Sequence, residues 1–230
     1  MMRRKLPFWA TFLTLIGVII LCALGTWQVK RLAWKNDIVQ KLHTAYASSG
    51  NALSFNTMKE NDFAYGKITG KFLFDKSIAL GYRVDKDRGA GYSLVTPLQT
   101  DQGTLLVNLG FNPNTMPIKT HALNAHNAQT ITLSGLARSP SWNRFTPDND
   151  PENDTWYKYD INQIAAAKDL KEPIPFILYA DKSSIDLGEN LPNNERWHPK
   201  NDHAQYAFFW FALAATLIII YLLRFIKKSA

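Results

Sequence analysis

The side chains best suited to chemistry in this chain of 230 residues lie near its two ends. His203 opens a helical stretch in which His203, Tyr206, Ala207, Trp210 and Ala214 fall on one face. Toward the other end, Gly25, Trp27, Gln28 and Arg31 close a long apolar run. If the two segments cross a membrane in opposite directions, these groups share one interfacial layer. That layer offers an imidazole, an amide, a guanidinium and aromatic faces beside small residues, a set that suits a haem. His203 would be an axial ligand to the iron and Arg31 a propionate partner. Gln28 would bond a propionate or orient the histidine, and Trp27, Tyr206 and Trp210 would contact the ring. The same residue types also serve as interfacial anchors at span ends, and that plainer reading stands beside the first.

The elements that must position this layer are two apolar runs. Residues 8–29 contain no charged side chain, and residues 204–225 contain only Arg224, near their end. About 20 helical residues cross a hydrocarbon core of ~30 Å, so both are read as transmembrane helices. The mean hydropathy of -0.20 hides them because the middle of the chain is polar. A cleaved signal peptide is the alternative for the first run, with Arg3, Arg4 and Lys5 as its basic region. The apolar stretch exceeds the ~7–15 residues of such a signal, and the bulky Leu21 before Cys22 does not suit a lipoprotein site. An uncleaved anchor is therefore expected.

Charge sets the orientation. Arg3, Arg4, Lys5, Arg224, Lys227 and Lys228 flank the spans without an acid among them. Subtracting these six from the net charge of +7 leaves +1 for the middle. The basic balance then belongs to membrane flanks, and no nucleic-acid partner is expected. Both tails (residues 1–7 and 226–230) are expected in the cytoplasm and residues 30–203 outside it, although Lys30, Arg31 and Lys35 lie on the outer side. With little chain before the first span, a bacterial inner membrane fits better than an organelle. The single cysteine, Cys22, permits neither an intrachain disulfide nor a thiolate metal cluster.

Residues 30–48 keep helical spacing through Leu32, Ile38, Val39, Leu42 and Tyr46, so the first helix should continue beyond its span. Short strands are predicted at residues 65–74, 77–83, 92–99, 104–111, 130–137, 155–159 and 176–179, with a hairpin turn at Asp101-Gln102-Gly103. A short helix over residues 162–170 has Asp160 or Asn162 as its cap. The fold class is a membrane α+β protein: two transmembrane helices flanking a mostly antiparallel β barrel or sandwich.

Enzyme signatures are missing: no Gly-rich phosphate loop, no G-x-S-x-G and no HExxH. The acidic cluster Asp148-Asn149-Asp150-Pro151-Glu152 has Asn153 where a calcium loop needs its turn glycine, and reads as a solvated loop. His121 and His126 occupy a loop-like stretch and read as exposed.

Several blocks together resemble the surfeit locus protein family, cytochrome c oxidase assembly factors of bacteria and mitochondria. They are Leu24-Gly25-Thr26-Trp27-Gln28 with Arg31 and Lys35; Gly70-Lys71-Phe72; Gly91-Tyr92 with Thr96-Pro97-Leu98; Leu106-Val107-Asn108; and Phe145-Thr146-Pro147 with Asn149-Asp150-Pro151 and Trp156-Tyr157. Asn201-Asp202-His203, Tyr206-Ala207 and Trp210-Phe211 close the series. The first and last blocks are the most specific. One departure is Asn108-Leu109-Gly110-Phe111, where the family shows Asn-Arg-Gly-Trp.

The resemblance implies an assembly factor and not an enzyme. It implies transient binding of haem a with His203 as the iron ligand, and delivery to subunit I of the oxidase. Subunit I, haem a synthase and membrane lipid would be the partners. A haem-free scaffold that steadies subunit I is the alternative it leaves open.

Overall fold

The structure is a computed structural model that describes residues 7–48, 50–85, 89–113, 129–183 and 196–225. His121, His126 and the tail residues Arg3, Arg4, Lys5, Lys227 and Lys228 lie outside the described residues. Among those described are four α-helices, α1 (Phe8–Ala47), α2 (Phe55–Glu60), α3 (Ile161–Ala167) and α4 (His203–Phe225). Six strands accompany them: β1 (Ala64–Phe72), β2 (Ile78–Asp85), β3 (Gly89–Thr100), β4 (Gly103–Asn112), β5 (Ile131–Arg138) and β6 (Pro173–Ser183). The chain divides into two compact units, residues 1–40 with 198–230, and residues 41–197.

The first unit is a helix pair. Its α1 and α4 each contain an 18-residue window of mean hydropathy above 2, and both are long and apolar enough to cross a membrane. The expected extension of the first apolar helix is present, since α1 runs unbroken for 40 residues. The two helices pack antiparallel. Gly25 lies under the ring of Phe211, Gly17 meets Leu217, and Thr11 Oγ1 shares a 2.7 Å hydrogen bond with the Tyr221 hydroxyl. A methyl group at Gly25 would sit 2.7 Å from the Phe211 ring, so this approach requires glycine. Ala207 and Ala214 are the buried positions of α4. Small residues at such contacts let helix backbones approach where apolar burial alone gives little association.

The second unit is built around a closed barrel. Five strands run β1-β5-β6-β4-β3, and β3 returns to β1 through Lys71↔Gln99 and Phe72↔Leu98; β2 hangs on the outer edge of β3. All pairings are antiparallel except β4–β6. The hairpin turn forms where expected, with Thr100 opposite Gly103, whose φ of +127° suits glycine.

Alternation along the strands sorts their side chains into two cores. Leu94, Val107 and Leu178 join Phe72, Phe74 and Ile131 in one cluster, with Leu53 and Met58 from around α2. Val95, Leu106 and Ile177, one residue away on each strand, join Trp156, Ile161 and Ile164 in the other. Strand β4 is therefore buried along its whole length. Opposite Leu94 and Val95 it carries one extra residue: Leu94 pairs with Gly110 and Val95 with Asn108. Gly110 adopts φ +117° and donates its N–H to Asn108 Oδ1 at 2.7 Å. This bulge places Leu109 within the first core. An apolar side chain suits that position, which is where the family's arginine is replaced.

The strand expected over residues 155–159 is not one. Thr155 and Trp156 form only isolated bridges, to Asp150 and Leu80. Asn149 holds the segment in place instead: its Oδ1 accepts from the backbone N–H groups of Tyr157 and Lys158, both at 2.8 Å. Trp156 is buried and donates Nε1–H to Asp154. The acidic cluster thus works as a structural loop, with Lys158 bonded to Asp148. That lysine holds the exposed Asp148 carboxyl below its usual range. Helix α3 is capped by Asp160, which accepts from Gln163 N–H at 3.1 Å. The short α2, capped by Ser54, was not anticipated.

Two outcomes follow. A methyl group at Gly70, where β1 turns from β5 toward β3, would lie 2.5 Å from the Gln99 carbonyl oxygen. Gly70→Val is expected to destabilise the barrel by about 1–3 kcal/mol, roughly 3–10 °C in melting midpoint by circular dichroism. Gly50→Ala, with nothing within 4 Å, serves as the neutral control. The second concerns Tyr159, whose hydroxyl accepts from Asn108 Nδ2 at 2.5 Å. Enclosure of the phenol, then the neighbouring Tyr179, raises its pKa well above the ordinary tyrosine value. The folded state then holds this proton more tightly than the unfolded chain. Its contribution is complete below about pH 10 and is lost as pH rises beyond. Tyr159→Phe should be less stable at pH 8 by roughly 1 kcal/mol. Its urea midpoint should fall less steeply than wild type's between pH 10 and 11.

Candidate functional site

The site is assembled at the His203 end of the helix pair. The segment entering α4 is tied to α1 by two hydrogen bonds. Lys35 Nζ donates to the Lys200 carbonyl at 3.2 Å, and Asn201 Nδ2 donates to Asn36 Oδ1 at 2.7 Å. The Asp202 carbonyl then accepts the N–H groups of Gln205 and Tyr206, starting the helix with His203 at its first position. Asn36 and the Lys200 carbonyl were not among the expected contacts; nothing in their types distinguishes them from exposed loop groups.

At the centre, His203 Nδ1 lies 2.7 Å from Gln28 Oε1. Gln28 is a buried polar residue, and an unpaired amide there would cost several kcal/mol. The amide oxygen can only accept, so Nδ1 carries the proton. This contact sets the orientation of the ring, with Nε2 directed away from Gln28. Metal-ligating histidines commonly have their other ring nitrogen held by a hydrogen bond of this kind.

The remaining sequence-derived candidates flank this pair. Helices advance ~100° per residue. In an antiparallel pair, the residues just before the facing positions Gln28 and Ala207 turn to the same side. Trp27 and Tyr206 are those residues, and both are about half exposed, at 52% and 54%. Trp210, one turn beyond Tyr206, is half-buried. Gly25 and Ala207 supply the small surfaces between helices. Arg31 is exposed, one turn beyond Trp27, and its guanidinium lies 4.5 Å over the Trp34 ring. Trp34 was missed in the sequence, although its spacing of three from Arg31 is the signal that could have found it.

The fit to a haem can be judged from these contacts. The donor set is a single imidazole nitrogen on an oriented ring, an exposed aromatic flank and a guanidinium one turn away. That chemistry suits one axial ligand to a flat, amphipathic macrocycle with an acidic edge. No group of three or more His, Cys, Asp or Glu that could hold a bare metal ion occurs among the described residues.

Comparison with known proteins covers this layer from both sides. The model of the SURF1 family matches residues 15–215. A SURF1-like protein of Rickettsia bellii (strain RML369-C) is 34% identical over 234 residues, covering 99% of this chain and 92% of that protein. Surfeit locus protein 1 of Gallus gallus is 29% identical over 235 residues, covering 94% and 75%. Surfeit locus protein 1 of Xenopus tropicalis is 28% identical over 233 residues, covering 90% and 73%. The matched stretch takes in Gly25, Gln28 and Arg31 on α1 and His203, Tyr206 and Trp210 on α4, and the chain belongs to the SURF1 family.

Proposed function

We propose that this protein is a membrane-anchored assembly factor for haem-copper cytochrome c oxidase that binds haem a and assists its insertion into subunit I. The observation that carries this reading is the His203–Gln28 hydrogen bond, which leaves Nε2 as a ready axial ligand. In this reading haem a is cargo. Its iron would take His203 Nε2, its ring would lie against Trp27, Tyr206 and Trp210, and a propionate would meet Arg31. The long apolar tail of haem a suits a site on a helix pair apolar enough to lie in lipid. One protein ligand and an open flank favour moderate affinity, as a carrier needs, because a tight closed site would trap its cargo.

The basic flanks Arg3, Arg4, Lys5, Arg224, Lys227 and Lys228 support an orientation with both termini cytoplasmic and the β domain on the periplasmic side of a bacterial inner membrane. Haem a synthase, as donor of the cargo, and subunit I, as its acceptor, are the partners this role requires.

The test is an absorption spectrum of the detergent-purified protein coexpressed with the enzymes of haem a synthesis. Wild type should carry a haem a band and His203→Ala should lose it. Gln28→Ala frees the imidazole to rotate and change tautomer, and should weaken haem a binding roughly 10–100-fold with the helices still folded. A folded but colourless wild type that copurifies with subunit I would replace this reading with that of a haem-free scaffold. A His203→Ala protein with an unchanged spectrum would remove the ligand assignment.

A further inference from the structure

The β domain contains a cavity of about 290 Å³, lined by residues brought together from far apart in the chain, among them Tyr65, Arg138, Tyr179, Asp181 and Arg196. Among the described residues it holds two guanidinium groups and one carboxylate, and the carboxylate is committed to only one of the two. Arg196 donates from Nε to Asp181 Oδ2 at 3.3 Å and from Nη2 to the Tyr65 hydroxyl at 3.2 Å. Tyr65 in turn donates to the same Asp181 Oδ2 at 2.7 Å. The rings of Tyr46 and Tyr65 lie 5.1 and 5.0 Å from the Arg196 guanidinium. Arg196 is therefore neutralised, hydrogen-bonded and stacked.

Arg138 has no carboxylate of its own among the described residues. Its guanidinium lies 4.6 Å from the Tyr179 ring and 5.3 Å from the Trp197 ring, and Nη2 donates to the Tyr179 hydroxyl at 3.1 Å. Among the described residues it forms no ion pair. Stacking holds a guanidinium in place and leaves the in-plane N–H groups to bond elsewhere. On the same cavity, Asp181 Oδ1 is buried and has no hydrogen-bond partner. Among the described residues, the cavity thus presents a fixed cation without its anion and an acceptor oxygen without its donor. Buried polar atoms in folded proteins are seldom left unmatched.

We propose that this cavity is a binding site for an acylated amino-acid carboxylate. The carboxylate would be seated on Arg138, and the adjacent N–H would donate to Asp181 Oδ1. A carboxylate accepts two parallel bonds from a guanidinium fork, a match that neither a neutral amide nor an ammonium can make. The amide N–H next to a terminal carboxylate is a donor at short range. The aromatic walls give the side chain an apolar contact. A volume equal to that of roughly ten waters admits one residue or two, and not a folded surface. The chemistry is shared by two sources, a free small acid and the C-terminal residue of a partner chain.

Isothermal titration calorimetry on the full chain in detergent separates these outcomes. The probes are N-acetyltyrosine, a hexapeptide ending in tyrosine with a free carboxylate, and the same hexapeptide amidated at its C-terminus. Saturable binding of the free carboxylates but not of the amide is expected, with at least a tenfold loss of affinity in Arg138→Gln. Equal affinity for N-acetyltyrosine and the acid hexapeptide assigns the site to a small ligand; a hexapeptide at least tenfold tighter assigns it to a chain terminus. Arg138→Lys keeps the charge and the fold but not the fork, and should still lose roughly fivefold or more. The proposal is overturned if no carboxylate binds folded wild type up to about 10 mM, if the amide binds as well as the acid, or if folded Arg138 variants bind like wild type.

Discussion

An amide inside an apolar helix pair must find a partner, and in this molecule Gln28 finds one side chain, the imidazole of His203. The register of the two helices follows from that requirement. With Gln28 opposite His203, the chain directions place Gly25 beneath Phe211, Gly17 beside Leu217 and Thr11 beside Tyr221. A shift of one turn would separate the polar pair and drive the Phe211 ring toward a position that carries a side chain. Apolar helices have little of their own to choose one register over another. The buried polar pair supplies the choice.

The β domain meets a different constraint, since β4 is covered on both faces. Its inward side chains fill the barrel and its outward ones meet Trp156 and α3, so neither face tolerates a register slip. The extra residue at Leu109 interrupts its pairing with β3, and Asn108 beside it bonds Tyr159 and lines the cavity. Trp156 and Asn149, which belong to blocks shared with the family, work here as structural parts: one fills the outer core and the other clamps the loop before it.

The apolar ends, the helix beyond the first apolar run and the hairpin at Asp101-Gln102-Gly103 were legible in the sequence because each rests on local pattern or on turn chemistry. Residues 155–159 misled because Thr, Trp and Tyr favour half-buried positions of any kind, and here that position is a clamped loop. The parallel pairing of β4 with β6 leaves no mark on either strand's own alternation. Six residues of α2 carry too little periodicity to be seen. In the candidate site, His203 and Gln28 could be matched because antiparallel helices equate depth with distance from the chain ends. Asn36 could not, because a hydrogen bond through a polar surface residue is decided by side-chain rotation, whereas the spacing of three from Arg31 did mark Trp34. Arg138 ends β5, Asp181 lies on β6 and Arg196 follows 15 residues later, so no local spacing links them and only the fold gathers them at the cavity.

The separation of 175 positions from Gln28 to His203 also sets an order in time. At ~5–20 residues per second of synthesis, Gln28 exists for roughly ten to thirty-five seconds before its partner is made. During that interval the whole β domain is translated, and the amide has no imidazole to meet. The pair therefore acts as a record of completed translation. A chain that stops anywhere before α4 presents a lone polar group on its first apolar helix, without the partner that sets the register.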